Sequence, residues 1–258
     1  MIKKSFFIDD SNVKKHVNDM SRFIVSKCLD ADRDGVILGM SGGIDCSVVA
    51  RLAQEAGVDT KLVMMPDGKS MNNDSMVDSM ALINKFGFKH STVDIKPACD
   101  AIEQSILAGD CKKLTDFTRS NIRPRVRMTT LYAIAQDERR FVIGTSNLDE
   151  RLIGYFTKYG DGGSDLNPLG LVTKGEVRTL AKYLGVPQNI ITKAPSAGLG
   201  EDQTDEKDLG FSYEQMDNFI YHGTSGNPRI DQLINRRIAM SEHKLALPPI
   251  YTGGTLDL

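Results

Sequence analysis

The stretch Gly35-Val-Ile-Leu-Gly-Met-Ser-Gly-Gly-Ile-Asp-Cys-Ser-Val-Val-Ala50 changes its pattern twice. Residues 36–38 form a short apolar run, which is typical of a buried parallel strand. The run breaks at Ser41-Gly-Gly43, and apolar residues then recur at helical spacing. A strand, a glycine turn and a helix together predict a phosphate site, because glycine lets backbone N–H groups approach an anion and a helix N-terminus attracts it.

Asp45 falls in the first turn of this predicted helix. A carboxylate there repels phosphate directly, but it can hold a Mg²⁺ ion that bridges phosphate oxygens. The stretch contains neither of the two common phosphate-binding glycine patterns. Its Ser-Gly-Gly-x-Asp segment instead resembles the loop of the ATP pyrophosphatases, although an ordinary glycine-rich turn remains the alternative at this point. Cys46 stands where those enzymes usually have serine, and a thiol is a weaker donor than a hydroxyl.

The overall composition is typical of a globular protein and excludes several classes. A chain of 258 residues can bury a full core, as one large domain or two small ones. A net charge of −2 provides no general attraction for nucleic acid or anionic membrane, and no apolar run approaches the roughly 18 residues that span a bilayer. The N-terminus does not resemble a signal peptide, and four scattered cysteines favour a reduced, cytoplasmic protein without structural zinc.

Further strand patterns at residues 61–65, 90–95 and 141–145 alternate with helical patterns. This alternation predicts a doubly wound parallel sheet, which binds ligands beyond the carboxyl ends of its strands. In the segment 121–132, Pro124 suits the first turn of a helix. Arg123 and Arg127 share one face of that helix, and their pattern fits a solvated basic face as well as a functional one.

Later segments of the chain carry further information. Thr173 is a predicted N-cap with Glu176 at the capping-box position, and helical patterns follow at residues 212–221 and 228–241. The segment 154–165 concentrates glycines, aromatic residues, a lysine and aspartates, more than a structural loop usually needs. The polar segment 193–206 is typical of a mobile lid.

Taken together, these stretches resemble the ammonia-dependent NAD synthetases of the N-type ATP pyrophosphatase superfamily. The most specific parts are residues 155–163, 193–199 and 203–206. The resemblance implies a Rossmann-like doubly wound parallel α/β sheet flanked by helices, of the adenine-nucleotide α-hydrolase type. It also implies a single NAD synthetase domain over residues 1–258 without a glutaminase domain, and an obligate homodimer with substrate sites across the interface.

The reaction that the resemblance implies is amide formation driven by ATP. The nicotinate carboxylate of deamido-NAD⁺ attacks the α-phosphorus of ATP and pyrophosphate leaves; ammonia then attacks the acyl-adenylate and AMP leaves. Because a carboxylate is a poor acceptor of ammonia, it must first become a mixed anhydride. The expected cofactor is Mg²⁺, ATP is the co-substrate, and the partners are small molecules rather than nucleic acid or membrane.

The resemblance also implies roles for individual residues. The predicted ATP-binding residues are Gly39, Met40, Ser41, Gly42, Gly43, Ile44, Asp45, Cys46, Ser47, Thr145, Lys174 and Ser196. The predicted deamido-NAD⁺-binding residues are Arg125, Lys158, Asp165, His243 and Lys244. Asp45 and Glu150 are the predicted metal ligands.

Three residues are the predicted catalytic groups, namely Lys174, Asp161 and Ser196. Lys174 suits the charge on the α-phosphate, and Asp161 suits the orientation of ammonium or the acceptance of its proton. Tyr155 and Phe156 either stack on the nicotinate ring or pack in the core. Rival interpretations are a tRNA-thiolating enzyme, a synthetase that amidates another carboxylate, and a non-catalytic adenine-nucleotide sensor.

Overall fold

The computed structural model describes residues 4, 6–68, 73–109, 113–194 and 204–251. Within these ranges the strands are β1 (Gly35–Gly39), β2 (Asp59–Met64), β3 (Lys89–Thr92) and β4 (Arg140–Val142). The helices are α1 (Val13–Asp30), α2 (Ile44–Glu55), α3 (Asn73–Phe86), α4 (Lys96–Ala108), α5 (Asp116–Asp137), α6 (Leu148–Leu152), α7 (Lys174–Tyr183), α8 (Gln188–Thr192), α9 (Asp205–Leu209), α10 (Tyr213–His222) and α11 (Pro228–Leu245). None of the helices in this part of the chain is long and apolar enough to cross a membrane.

The four strands form one parallel sheet in the order β3-β2-β1-β4. The chain builds outward from β1 to β3 and then crosses to place β4 on the other side of β1. This reversal opens a crevice between β1 and β4 at the carboxyl edge, which is where open α/β sheets bind ligands. The predicted doubly wound parallel sheet is therefore confirmed.

Apolar side chains on the two faces of the sheet enter separate core clusters. Val36 and Leu38 of β1 pack into a cluster that includes residues of α1, α2 and α7, whereas Ile37 packs into one with residues of α4 and α5. Successive side chains of a strand point to opposite faces, so β1 is covered on both sides. A third cluster joins α6, α9, α10 and α11.

Helix α5 begins earlier than the sequence predicts. Pro124 lies inside this helix, and the prediction that it starts the helix is wrong. Thr115 caps the helix by accepting the N–H of Thr118 at 3.1 Å. An interior proline costs about 3 kcal/mol, whereas burial of one large aliphatic side chain contributes about 1.5–3 kcal/mol. The burial of Ile122 and Val126 in the second cluster therefore offsets the proline.

Candidate active site

The glycine loop between β1 and α2 is held tightly by its surroundings. Gly42 has a φ of +76°, and a Cβ on it would lie 2.4 Å from the carbonyl oxygen of Ser75 in α3. Only glycine fits a left-handed backbone with so close a neighbour. Gly43 is the N-cap of α2, and no side chain caps that helix. An uncapped N-terminus after a glycine turn is suited to an anion, which its first-turn N–H groups can bind.

The side chains of the loop form hydrogen bonds within it. The Cys46 thiol donates to the carbonyl oxygen of Gly43 at 3.1 Å and lies 3.3 Å from the hydroxyl of Ser41. The Ser47 hydroxyl donates to the same carbonyl at 2.7 Å and is buried. Ser41 is exposed. Cys46 and Ser47 thus support the loop, while Ser41 is accessible to a ligand.

Lys174 is the centre of a buried charged group beside this loop. Its side chain is 2% exposed, and its ammonium lies 2.5 Å from Asp45 Oδ2 and 3.7 Å from Glu150 Oε1. The other oxygen of Asp45 accepts from Asn147 Nδ2 at 3.1 Å. These side chains come from the start of α2, from α6 and its N-cap, and from the start of α7. The structure therefore brings the predicted lysine and both predicted metal ligands together.

The charges of this group depend on burial and on one another. Burial alone would lower the pKa of Lys174, but the carboxylates of Asp45 and Glu150 raise it above its ordinary value. Burial raises the pKa of Glu150 to about 8, despite the opposing effect of Lys174. Lys174 is therefore a permanent cation, whereas Glu150 takes up a proton more readily than a carboxyl group in water does.

The two carboxyl groups fit a Mg²⁺ ion. Asp45 and Glu150 both lie within 4 Å of one ammonium, so their oxygens already converge on a single cation. Mg²⁺ is commonly held by one or two carboxylates together with phosphate oxygens and water. Among the described residues no group of three or more His, Cys, Asp or Glu side chains could hold a metal. A magnesium ion at Asp45 and Glu150 would therefore depend on phosphate oxygens for its remaining ligands.

The backbone at the start of α7 fixes the position of Lys174. The predicted capping box of Thr173 and Glu176 is present. In addition, Asp149 Oδ2 accepts the N–H of Lys174, and Asp217 Oδ2 accepts the N–H of Gly175, each at 3.0 Å. Neither aspartate is among the residues predicted from the sequence. Asp149 had one local signal, because it lies inside the capping box that begins at Asn147 and ends at Glu150.

Four of the five predicted deamido-NAD⁺ residues lie together at the end of α11. The ammonium of Lys158 donates to the carbonyl oxygen of His243, and the guanidinium of Arg125 donates to the carbonyl oxygen of Lys158 at 3.3 Å. Lys244 donates to the carbonyl oxygens of Gly154 and Phe156, both at 2.7 Å. The loop that starts after Gly154 is therefore joined to the last turn of α11 and to α5.

The fifth residue, Asp165, lies elsewhere, beside Val142 at the end of β4. Its Oδ2 accepts the N–H of Val142 at 2.7 Å, and its Oδ1 accepts from the hydroxyl of Tyr132 at 3.1 Å. Asp161 accepts the N–H of Thr157 at 2.9 Å. Asp161 also lines a cavity of about 110 Å³ together with Phe156, Asn167, Lys244 and others.

The structure distinguishes between the alternative roles of two residue pairs, the aromatic pair Tyr155 and Phe156 and the basic pair Arg123 and Arg127. Tyr155 packs against the third core cluster, and its hydroxyl donates to Asp208 at 3.1 Å, which favours packing over ring stacking. Phe156 lines the small cavity beside Asp161. Arg123 and Arg127 are not a purely solvated face, because both form ion pairs with the buried Asp67.

Thr145 follows β4 by three residues, on the same edge of the sheet as the glycine loop. Ser196 lies outside the described residues, as does most of the predicted lid.

Comparison with known proteins gives consistent matches over most of the chain. The family model for NAD synthase matches residues 16–248. An NH3-dependent NAD⁺ synthetase of Carboxydothermus hydrogenoformans is 37% identical over 240 residues, which cover 93% of this chain and 98% of that protein. The structure of NMN synthetase from Francisella tularensis matches with a TM-score of 0.86 at 37% identity, over 93% of this chain and 99% of that one. An NH3-dependent NAD synthetase structure from Campylobacter jejuni matches with a TM-score of 0.77 at 29% identity, over 95% of this chain and 100% of that one. With its parallel sheet, its glycine loop and these matches, the chain belongs to the NAD synthase family.

Proposed function

We propose that this protein amidates deamido-NAD⁺ to NAD⁺ with ammonia, at the expense of ATP, and releases AMP and pyrophosphate. This makes it an ammonia-dependent NAD⁺ synthase, a carbon–nitrogen ligase. The observation that carries the proposal is the buried ammonium of Lys174, held between Asp45 and Glu150 beside an uncapped glycine loop. A tRNA-thiolating enzyme or a nucleotide sensor is not supported by the family matches.

In this proposal the ATP side of the site consists of the glycine loop and Lys174. The loop from Gly39 to Ser47 binds the leaving pyrophosphate, with the backbone N–H groups of its glycines and the hydroxyl of Ser41 as donors. Lys174 stabilises the charge that develops on the α-phosphate during attack by the carboxylate. Thr145 and Ser196 add further contacts to ATP.

Asp45 and Glu150 are the proposed magnesium ligands. A magnesium ion at these carboxylates would supply positive charge to the phosphate oxygens of ATP. The convergence of both side chains on one cation supports this assignment.

The acid substrate is proposed to bind near the loop at residues 155–163. Arg125, Lys158, His243 and Lys244 suit the pyrophosphate of deamido-NAD⁺, and their mutual contacts support a common role. We assign the ribose to Asp165, and the orientation of ammonium or acceptance of its proton to Asp161. The protein must also exclude water, because the mixed anhydride would otherwise be hydrolysed.

One comparison favours a second candidate substrate. The Francisella tularensis structure, which matches with a higher TM-score than the Campylobacter jejuni one, is that of an NMN synthetase. Amidation of nicotinate mononucleotide would use the same ATP chemistry and differ only in the second nucleotide. We therefore propose nicotinate mononucleotide as the alternative substrate that accepts ammonia.

Three further features belong to the proposal. We assign residues 1–258 to one synthetase domain that takes free ammonia, which the names of the NH3-dependent relatives support. We propose a homodimer, which exposed apolar side chains such as Phe117 support. We propose a cytoplasmic location, which the free cysteines Cys28, Cys46 and Cys99 of the described chain support.

The decisive experiment is a coupled assay of the purified protein with MgATP and an ammonium salt. Deamido-NAD⁺ and nicotinate mononucleotide are supplied in parallel reactions, and NAD⁺ or NMN, AMP and pyrophosphate are quantified. We expect one pyrophosphate and one AMP for each NAD⁺, with ammonium replaced poorly by glutamine. Preferential formation of NMN would favour the alternative acceptor, and ADP with orthophosphate would contradict both.

A further inference from the structure

The ammonium of Lys174 rests over the face of an aromatic ring. Lys174 Nζ lies 5.1 Å from the centroid of the Tyr213 ring. Tyr213 is 1% exposed and is, with Lys174, one of the largest fully buried side chains among the described residues. A cation over the face of an aromatic ring is attracted by the ring's electrons, and the attraction grows when water is excluded. Tyr213 is therefore in direct contact with the group to which we assign the α-phosphate.

Tyr213 is itself held at both of its ends. Its hydroxyl donates to Asp205 Oδ2 at 2.9 Å, and its backbone N–H donates to Glu206 Oε1 at 2.9 Å. Thr204 caps the short helix that carries both acids. These acceptors belong to the segment Thr204-Asp-Glu206, which lies in the part of the sequence that most resembles the family and at the end of the predicted lid. Here the lid prediction is wrong, because Thr204 caps α9 and Asp205 is buried.

The tyrosine hydroxyl is suited to permanent donation. Burial, and then the nearby carboxyl groups of Glu150 and Asp205, raise the pKa of Tyr213. The phenol thus keeps its proton at every physiological pH. Asp205 Oδ1 also lies 3.4 Å from the hydroxyl oxygen of Tyr155, so Tyr213 and Asp205 are in contact with the loop at residues 155–163.

We propose that Asp205, Glu206 and Tyr213 form a clamp that positions the Lys174 ammonium for transfer of the adenylyl group. The ring face of Tyr213 contacts the ammonium, and hydrogen bonds to Asp205 and Glu206 hold Tyr213 in position. This inference rests on the proposed function, because it gives Lys174 its role at the α-phosphate. None of the three clamp residues is assigned a contact with substrate, so they are positioning residues.

A ring is a suitable support because of what Lys174 must do. In the structure its ammonium donates to Asp45 Oδ2. During the reaction the same ammonium must turn its donors toward a phosphate oxygen. A ring face attracts the cation without requiring one of its N–H groups, so it holds Lys174 in place in both arrangements.

The test compares variants that remove the ring, the hydroxyl or the acid separately. Tyr213→Leu removes the ring, Tyr213→Phe keeps it, and Asp205→Asn keeps an acceptor that Asp205→Ala loses. Tyr183→Phe is the matched control, because Tyr183 is half exposed at the other end of α7. For each variant, kcat, the KM for both nucleotides and the melting temperature are measured.

We expect Tyr213→Leu to lower kcat by about tenfold to a hundredfold, as is typical when support of an active-site group is lost. The KM for deamido-NAD⁺ should change by less than about twofold, because that site keeps its contacts. Tyr213→Phe and Asp205→Ala both keep the ring and lose the same hydrogen bond, so they should cause a smaller loss of kcat that is similar in the two variants. Asp205→Asn, which keeps an acceptor, and Tyr183→Phe should resemble the wild type. Wild-type kcat in a folded Tyr213→Leu variant would overturn the clamp.

A double-variant comparison separates positioning from general packing. If Tyr213 acts through the lysine, Tyr213→Leu should cause little further loss of kcat when Lys174→Met is already present. Independent, multiplicative losses would show that the tyrosine matters for another reason and would overturn the proposal.

A second readout needs no substrate. In amine labelling followed by mass spectrometry, Lys174 should react faster in Tyr213→Leu than in the wild type, relative to the exposed Lys182. If the wild type forms no NAD⁺, the proposed function fails and this labelling still tests the clamp. If the wild type forms NAD⁺ but neither kcat nor labelling changes in Tyr213→Leu, the clamp alone fails.

Discussion

At the scale of single residues, two cations compete for one pair of carboxyl groups in our proposal, namely the ammonium of Lys174 and a magnesium ion. Lys174 neutralises Asp45 and approaches Glu150, the same carboxyl groups that are proposed to hold magnesium. Two neighbouring carboxyl groups that are largely shielded from water are unfavourable without a cation, so the ammonium stabilises the free protein. The same ammonium must later give up its place, which makes Lys174 both a structural and a catalytic group in our proposal.

Lys174→Met should strengthen the binding of Mg²⁺ to the free protein and weaken catalysis. Removal of the ammonium leaves Asp45 and Glu150 without their competing cation, so a metal ion should bind more tightly, as measured by titration calorimetry. The value of kcat should fall by about 10²- to 10³-fold, because one group that stabilises transition-state charge is lost. Lys182→Met, on the exposed side of the same helix, is the control; unchanged metal affinity in Lys174→Met would contradict the competition.

Glu150→Gln should change how the stability of the free protein depends on pH. The pKa of Glu150 in the folded protein is about 8, above its ordinary value of 4.5, because the side chain is buried. The folded state therefore binds this proton more tightly, and the resulting stabilisation is complete below 4.5 and is lost as pH rises through about 8.

The free energy of unfolding, measured with urea between about pH 5 and about pH 8 without ATP or Mg²⁺, should fall with pH in the wild type. The Glu150→Gln variant has no proton to lose at this position, so its free energy of unfolding should fall less steeply with pH than that of the wild type. Parallel curves for the two proteins would contradict the raised pKa of Glu150.

At the scale of elements, the N-terminus of α7 carries unusually complete capping. Thr173, Asp149 and Asp217 accept the first three N–H groups that follow the N-cap. Glu176 completes the capping box and also forms a buried ion pair with Lys4. Because Lys174 is the first residue of this helix, the contacts that stabilise the start of α7 also fix the position of the Lys174 backbone.

Thr173→Ala should destabilise the protein by about 1 kcal/mol, since it removes the cap of α7. Its hydroxyl also lies 3.1 Å from the hydroxyl of Tyr221, and loss of this contact adds to the effect. Urea unfolding at constant pH measures the change. Thr192→Ala, at the exposed end of α8, should shift stability by less than about 0.5 kcal/mol, and an equal effect of both substitutions would contradict the capping role.

At the scale of the whole molecule, the sheet order places the two halves of the proposed ATP site together. Because β4 pairs with β1, the turn after β1 and the segment after β4 meet at one edge of the sheet. The third core cluster then joins α6 to α9, α10 and α11, the elements that carry Asp205, Tyr213 and the end residues His243 and Lys244. The site is therefore built by three cores rather than by a single loop.

The proposed homodimer should appear as a particle of about twice 28.4 kDa in sedimentation velocity. Phe117 is 79% exposed and Tyr251 is 95% exposed in the single chain, and burial of such side chains would favour association. If substrate sites span the interface, activity per chain should fall on dilution below the dissociation constant. A fully active monomer at high dilution would contradict this arrangement.

The sequence alone determined the local features of this protein. The glycine turn, the alternation of strands and helices and the capping box of α7 follow from backbone preferences within a few residues, so a linear pattern reveals them. The tertiary structure decided the rest: Lys174 meets Asp45 across 129 positions and lies over Tyr213, while Pro124 is accommodated inside α5. Such contacts depend on which faces pack together, and no local spacing of residues encodes that choice.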